Sequence, residues 1–274
     1  MLKFLPDISV AFRFCSLILL CVLLLPSPAI SKEFRVCSVE IPGGLKAEDP
    51  TDGTGGVLDD SQPFIALYNE IIKEVSAKTG HSFSLVISPA ARCARMFARK
   101  EVDIAWPFII TEDPVRVKKW GYPYLPVYSM PIIMGGYYIF TRDDEPIINT
   151  VAGLEGKQAV HAIGYGIPVS YEKNDKIRKQ AVPENELIPK MIKTGRIDAG
   201  ILQTGWVPEL KRSGMLKGLH HGTAIDFWGG GFTFHPNEEG ISLANTFSNE
   251  ILKLVVRGKY QEIMTGAPYY IPDY

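Results

Sequence analysis

The apolar positions along the chain follow two spacings, one typical of strands and one typical of helices. Short apolar runs bounded by turn residues predict strands, and apolar residues three and four apart predict amphipathic helices. The predicted strands lie at 34–39, 82–87, 102–106, 137–140, 158–163, 197–202 and 232–234. The predicted helices lie at 61–79, 89–97, 184–193 and 241–257. Because strands and helices alternate, the pattern indicates parallel sheets with right-handed crossover helices.

The alternation is interrupted once and then begins again, which indicates two α/β units. A glycine pair at 135–136 and a glycine triplet at 229–231 lie where the chain would cross between the units. Two crossings form a hinge, and hinges suit proteins that close around a ligand. Alternatively, these glycines relieve crowding within one larger sheet. We predict an α/β fold with one lobe of residues 32–134 and 230–274 and a second lobe of residues 135–229.

Residues 1–31 have the pattern of a secretory signal peptide. Lys3 and Arg13 precede the apolar run Phe14–Leu25, and the small residues Ala29 and Ser31 lie near the expected cleavage point. A spanning helix needs about 20 apolar residues, and this run is shorter. We expect cleavage and a periplasmic location; an uncleaved membrane anchor is the alternative.

Composition and motifs exclude several classes of function. The formal net charge of −1 does not supply the basic face that a nucleic-acid-binding protein needs. The serine-hydrolase, zinc-protease and dinucleotide motifs are absent, and the histidines show no metal-ligand spacing. We therefore expect a soluble monomer that is not an enzyme and needs neither a cofactor nor a metal.

Two cysteines, Cys37 and Cys93, remain once the signal peptide is removed. Thiols in an oxidising compartment usually pair. Two buried free thiols are the alternative, because sequence spacing alone does not bring the two Cβ atoms within bonding reach.

Short segments in a constant order resemble the periplasmic solute-binding proteins of polar amino-acid ABC transporters, the bacterial extracellular solute-binding protein family 3. The segments are Lys100–Ile104, Thr111–Arg116 with Tyr122–Leu125, Leu154–Lys157, Gly195–Ala199 and Gly258–Tyr260. The resemblance implies the two-lobed type II periplasmic-binding fold. It also implies an amino acid or related small polar ligand and an ABC-type permease as partner. Enzymes of the same fold, such as cyclohexadienyl dehydratases, and periplasmic sensory modules are the alternatives.

The segment Ser88–Cys93, together with Cys37, resembles a subgroup of that family with a tryptophan, an arginine and a cysteine in this stretch. The subgroup also carries a matching cysteine in its first strand, so the resemblance supports a Cys37–Cys93 disulfide. Ala90 stands where the subgroup has tryptophan.

Ligands of two-lobed α/β proteins bind in the crevice at the carboxyl ends of the strands. The polar and aromatic residues expected there are Glu40, Arg92, Trp106, Phe108, Arg116, Tyr165 and Gln203. Either arginine can clamp an anion, because a guanidinium offers a carboxylate two parallel hydrogen bonds. The resemblance favours Arg116, although the added Asp113-Pro114 shifts its register. Surface ion pairs are the alternative role for the arginines, and core packing is the alternative for the aromatic residues.

The resemblance fails at two positions where amino-acid-binding members hold their ligand. Tyr165 follows Gly164 where those members have serine or threonine, and Gln203 stands where many have the aspartate that pairs with the ligand's ammonium. Without a carboxylate, an ammonium group loses its strongest partner. The aromatic candidates, which include Trp228, suit a ring, an apolar chain or a cation.

Overall fold

The computed structural model describes residues 31–39, 46–47, 56–57 and 63–267 of the chain. The strands are β1 (Glu33–Val39), β2 (Lys46–Ala47), β3 (Gly56–Val57), β4 (Ser82–Ser88), β5 (Ile104–Ile109), β6 (Val127–Tyr128), β7 (Ile133–Arg142), β8 (Gln158–Ala162), β9 (Arg178–Val182), β10 (Ala199–Gln203), β11 (Leu219–His221) and β12 (Asp226–Phe234). The helices are α1 (Pro63–Thr79), α2 (Ala90–Ala98), α3 (Pro114–Lys119), α4 (Val169–Glu172), α5 (Leu187–Lys193), α6 (Val207–Arg212), α7 (Glu238–Val256) and α8 (Lys259–Met264). Short 3₁₀ turns lie at Val151–Leu154 and Thr204–Trp206.

One sheet of ten strands runs through the described fold, in the order β4-β1-β5-β12-β7-β10-β8-β9, with β6 paired to β12 and β11 paired to β7. Strands β4, β1 and β5 pair in parallel at one end, and β10, β8 and β9 pair in parallel at the other. The long strands β7 and β12 lie between these groups and pair antiparallel with each other. Each parallel group, with its helices, forms one lobe.

Both faces of each parallel group are covered by apolar side chains. In the first lobe, α1, α7 and α8 cover one face with a core that includes Ile71, Phe232 and Phe247. On the other face, α2 packs around Cys93 and Phe97. The second lobe is layered in the same way. One apolar cluster includes Ile188 and Ile192 of α5, and another includes Leu154 and Tyr171. This burial on two faces explains why inner strands of the parallel groups, such as β10, read as continuous apolar runs.

The glycines of the predicted crossings lie in the two central strands. Gly135 faces Trp228 across the β7–β12 ladder, and Gly136 faces Phe227. A Cβ atom at Gly135 would lie 2.6 Å from the Trp228 indole ring, so only glycine lets the ring cover the strand here. Relief of crowding, the alternative role given above for these glycines, therefore applies at Gly135. The crowding occurs within the strands that join the lobes. By backbone contacts, residues 33–274 form one compact unit, and the lobe boundaries given above stay a prediction.

Several elements differ from the sequence prediction. Strand β9 was missed because Arg178–Val182 is mostly polar, and its position at the edge of the sheet explains that polarity. Helix α3 lies in a stretch for which no helix was predicted. Asp113 caps it by accepting a hydrogen bond from the Val115 backbone N–H at 3.0 Å, and Pro114 occupies its first turn. No helix in the described ranges is both long and apolar enough to cross a bilayer.

Cys37 in β1 and Cys93 in α2 are joined by a disulfide, with their Cα atoms 5.8 Å apart. Both residues are fully buried in the cluster beneath α2. The bridge therefore ties this helix to the central strand of the first lobe's parallel group.

We expect thiol titration of the unreduced chain starting at Lys32 to find no free thiol. The C37A/C93A double variant should lose about 2–5 kcal/mol of unfolding free energy, because the denatured chain loses its cross-link. Chemical denaturation with and without a reductant measures this loss. Two titratable thiols in the denatured, unreduced protein would contradict the pairing.

Candidate ligand-binding site

A cavity of about 660 Å³ lies between the two lobes, at the carboxyl ends of β1, β5, β8 and β10. Its volume falls in the range of about 300–1,000 Å³ that is typical of small-molecule sites. Apolar side chains dominate its walls, with a few polar and charged groups among them. The lining residues are Val39, Phe64, Ala90, Ala91, Ala94, Arg95, Pro107, Phe108, Ile109, Arg116, Lys119, Trp120, Gly121, Ile133, His161, Ala162, Ile163, Gly164, Tyr165, Gly166, Ile167, Glu172, Ala181, Gln203, Trp206 and Trp228.

The structure brings together four of the residues predicted for the site. Phe108 and Arg116 line the cavity from the first lobe, and Tyr165 and Gln203 line it from the second. Trp228, the further aromatic candidate, also lines it. These residues, chosen because they follow strand ends, therefore line one cavity, and their contact with a ligand stays a prediction.

The other predicted residues have different positions. Glu40 lies outside the described residues. Trp106 is 0% exposed and stacks between Phe64 and Phe232, with ring centroids 4.7 and 5.5 Å away. Trp106 therefore belongs to the first lobe's core, which was the alternative role for the aromatic candidates.

Arg92 lies on α2 but is not among the described residues that line the cavity. This helix instead presents Ala91, Ala94 and Arg95 to the cavity. These three residues share one helical face because they are spaced three and four apart. The same spacing, applied to the small residues of the helix, would have identified Arg95 from the sequence.

Arg116 connects the two lobes. Its side chain is only 11% exposed, and its Nε lies 3.8 Å from Oε2 of Glu172. Its Nη2 donates a hydrogen bond to the backbone carbonyl of Ile167. The guanidinium also lies 5.8 Å from the ring centre of Trp120. Several of its donors are therefore already used by the second lobe.

Glu172 is the second-lobe partner in these contacts. Its Oε1 accepts a hydrogen bond from Nζ of Lys119, so it contacts two cations of α3. A third pair, Lys173 with Asp113, crosses the same gap at 3.9 Å. Sequence reasoning missed these ion pairs because they join residues more than fifty positions apart.

Backbone contacts close the cavity beside these ion pairs. Gly164 has a φ of +83°, which favours glycine, and a Cβ atom there would lie 3.5 Å from Cβ of Ala91. A Cβ atom at Gly166 would collide with the side chain of Ile109. Nε2 of Gln203 donates to the Gly166 carbonyl at 2.9 Å and so holds this loop. The two lobes are therefore in direct contact beside the cavity.

Two titratable groups beside the cavity have pKa values that are shifted toward their uncharged forms. Burial lowers the pKa of His161, and the positive charges of Lys119 and Lys179 lower it further against the opposing effect of Glu172. Burial raises the pKa of Tyr137 well above its ordinary value, although nearby Arg116 opposes this shift. Near neutral pH both side chains can donate or accept hydrogen bonds, but neither adds a charge to the site.

No group of three potential metal ligands occurs among the described residues. Within those residues, the only carboxylate that lines the cavity is Glu172, which is engaged by Lys119 and Arg116. The site is therefore suited to hold an organic molecule by shape, apolar contact and a few charged groups.

The chain matches no protein-family model and no curated protein, but it shares its fold with solved structures. A mutant of arginine-binding protein from T. maritima aligns with a TM-score of 0.61 at 18% identity, over 85% of this chain and 93% of that one. The ligand-binding core of GluR0 from Nostoc punctiforme, in complex with L-glutamate, aligns with a TM-score of 0.62 at 18% identity, over 84% and 97%.

A substrate-binding protein of an ABC uptake transporter from Streptococcus pneumoniae, with bound histidine, gives a TM-score of 0.62 at 14% identity, over 85% and 90%. At these identities the similarity establishes the fold. The predicted two-lobed type II periplasmic-binding fold is confirmed. The three proteins named here are described as binding proteins or as a ligand-binding core.

The buried position of Trp106 gives a test of its role. Trp106→Ala should lower the unfolding free energy by about 3–5 kcal/mol, because it removes a large ring from a packed core. Trp106→Phe keeps a ring and removes an indole N–H that has no partner among the described residues, so it should cost less than about 1.5 kcal/mol. Urea denaturation measures both variants. A loss of ligand affinity in a stably folded Trp106→Phe protein would show that Trp106 contacts the ligand.

The Glu172 contacts give a test of closure. Glu172→Gln should shift the unliganded protein toward a more open form, because it leaves Arg116 and Lys119 without their carboxylate. Losing such a partner costs about 1–3 kcal/mol. Small-angle X-ray scattering should report a larger radius of gyration. Glu155→Gln is the matched control, because Glu155 pairs with Lys176 within the second lobe. Identical scattering from the Glu172 variant and the wild type would contradict a role for the Glu172 contacts in closure.

Proposed function

We propose that this protein is an extracytoplasmic solute-binding protein, which captures a small molecule between its lobes and delivers it to an ABC-type permease. The observation that carries this proposal is the cavity of about 660 Å³ between the lobes of a type II periplasmic-binding fold. Its walls come from both lobes, so a ligand gains its full set of contacts only on closure. Closure then signals occupancy without any chemical change.

The partners and location follow from the same proposal. The signal pattern of residues 1–31 leads the chain across the inner membrane, where it acts as a monomer in the periplasm. The permease recognises the closed form, in which α3 and α4 lie side by side through the Glu172 contacts. No turnover is proposed, because the carboxylate lining the described part of the cavity is engaged by two cations and is therefore not free to act as a general acid or base.

A ligand screen tests the binding role. Thermal shift against amino acids, organic acids, amines and small aromatics should yield a compound that raises the melting temperature. The same compound should reduce the radius of gyration in solution and should be recovered unchanged after prolonged incubation. Conversion of the compound would support the enzyme alternative and overturn the proposal.

The transport role has its own test. Deletion of the gene in its host should abolish high-affinity uptake of the compound identified by the screen. The full chain should restore uptake, whereas a chain without residues 1–31 should not. Unchanged uptake in the deletion strain would contradict a transport function.

A further inference from the structure

The charges around the cavity are unequal in sign. Arg95, Arg116 and Lys119 line it from first-lobe helices, and Glu172 alone among the described residues brings a carboxylate to it. Arg116 and Lys119 both contact that carboxylate already. A bound molecule therefore meets an excess of positive charge and no free negative charge in the described part of the site.

Arg95 is the cation that remains available. It lies at the cavity on the exposed side of α2, and no ion pair joins it to any residue that the structure describes. By contrast, Arg116 is largely buried and bonded to the second lobe. A free guanidinium at the edge of an apolar cavity suits a carboxylate, which it can bind through two parallel charge-assisted hydrogen bonds.

An ammonium group finds no unpaired carboxylate in the described walls, because Glu172 is already engaged by Arg116 and Lys119. Gln203 is neutral: its amide nitrogen donates to the Gly166 carbonyl, and its amide oxygen can accept a hydrogen bond from an ammonium but cannot neutralise its charge. His161 is neutral because burial lowers its pKa. Moving an ammonium from water into such a site costs free energy that hydrogen bonds to neutral groups recover only in part.

The remaining walls favour a large apolar body. Phe108, Trp228 and the perpendicular pair Tyr165 and Trp206, with ring centroids 5.8 Å apart, supply aromatic surface. Ala91 and Ala94 of α2 also line the cavity and fill little of it, because their side chains are small. Aromatic rings contribute large contact areas at such sites.

We propose that the cavity takes an organic acid with a large apolar body and no amino group, such as an aryl-alkanoate, and that Arg95 pairs with its carboxylate. This inference rests on the proposed function, because it names the ligand class of the same site. It departs from a free α-amino acid, which would bring an ammonium group into the positively charged cavity.

Matched compounds test the class of ligand. 3-Phenylpropanoate, L-phenylalanine and 2-phenylethylamine share a phenyl ring on a two-carbon chain and differ only in their charged groups. Titration calorimetry should show the acid binding at least tenfold more tightly than the amino acid, and the amine not binding. 4-Hydroxybenzoate, indole-3-acetate and octanoate extend the acids tested. The inference is overturned if no acid binds, or if phenylalanine or the amine binds as tightly as the corresponding acid.

Variants test the role of Arg95. Arg95→Gln should weaken binding of the tightest acid at least tenfold while leaving the melting temperature of the unliganded protein unchanged. Arg99→Gln is the matched control, because Arg99 follows the same helix, is exposed and lies outside the cavity lining. Equal affinity in the Arg95 variant and the wild type would remove Arg95 from the site.

The two proposals fail in distinguishable ways. Binding of an unmodified amino acid with closure, but of no acid, would overturn the ligand class and keep the solute-binding function. Binding followed by conversion of an acid would keep the ligand class and overturn the solute-binding function. Absence of binding across the whole screen would overturn both.

Discussion

The antiparallel pairing of β7 and β12 is the constraint on which the rest of the structure depends. This ladder runs from Ile133 opposite Gly230 to Tyr137 opposite Asp226, and it joins the parallel strands of one lobe to those of the other. Because both lobes share one sheet, their strand ends are directed toward a common crevice. The cavity, the ion pairs across it and the backbone contacts that close it all follow from that geometry.

Closure at this crevice combines two kinds of interaction. Arg116, Lys119 and Glu172 provide charge attraction in a partly desolvated setting, where it is stronger than in bulk water. Gly166 allows a close approach, because a Cβ atom there would collide with Ile109, and Gly164 adopts a φ of +83° that favours glycine. A molecule bound in the cavity would stabilise the contact between the lobes further by covering the apolar walls. Each Å² of apolar surface removed from water contributes about 25 cal/mol.

The sequence predicted most of the architecture because the inner strands of the two parallel groups are buried on both faces. Continuous apolar runs, such as the one in β10, are strong local signals, and the turn residues after them locate the crevice. The same reasoning placed Phe108, Tyr165 and Gln203 at the cavity. It was less successful for Trp106, because strand alternation shows that a side chain is buried but not on which side of the sheet.

The features that sequence reasoning missed are mainly those that depend on distant partners. Arg116 and Glu172 are separated by the whole path from α3 to α4, so no local pattern joins them. Strand β9 is polar because it lies at an edge, and its pairing is decided by β8 rather than by its own composition. Helix α3 is the exception, since Asp113-Pro114 is a local start signal that we took for an insertion. Glu40 lies outside the described residues, so its predicted role stays a prediction.

The bond between Cys37 and Cys93 has a consequence for the timing of maturation. Cys93 lies two residues before Arg95, on the helix whose residues Ala91 and Ala94 form part of the cavity wall. The first turn of this helix therefore cannot fray away from β1 while the bond is intact. In a reducing compartment the same wall would rest on packing alone. The chain would thus gain this restraint on its cavity wall only after the two thiols are oxidised.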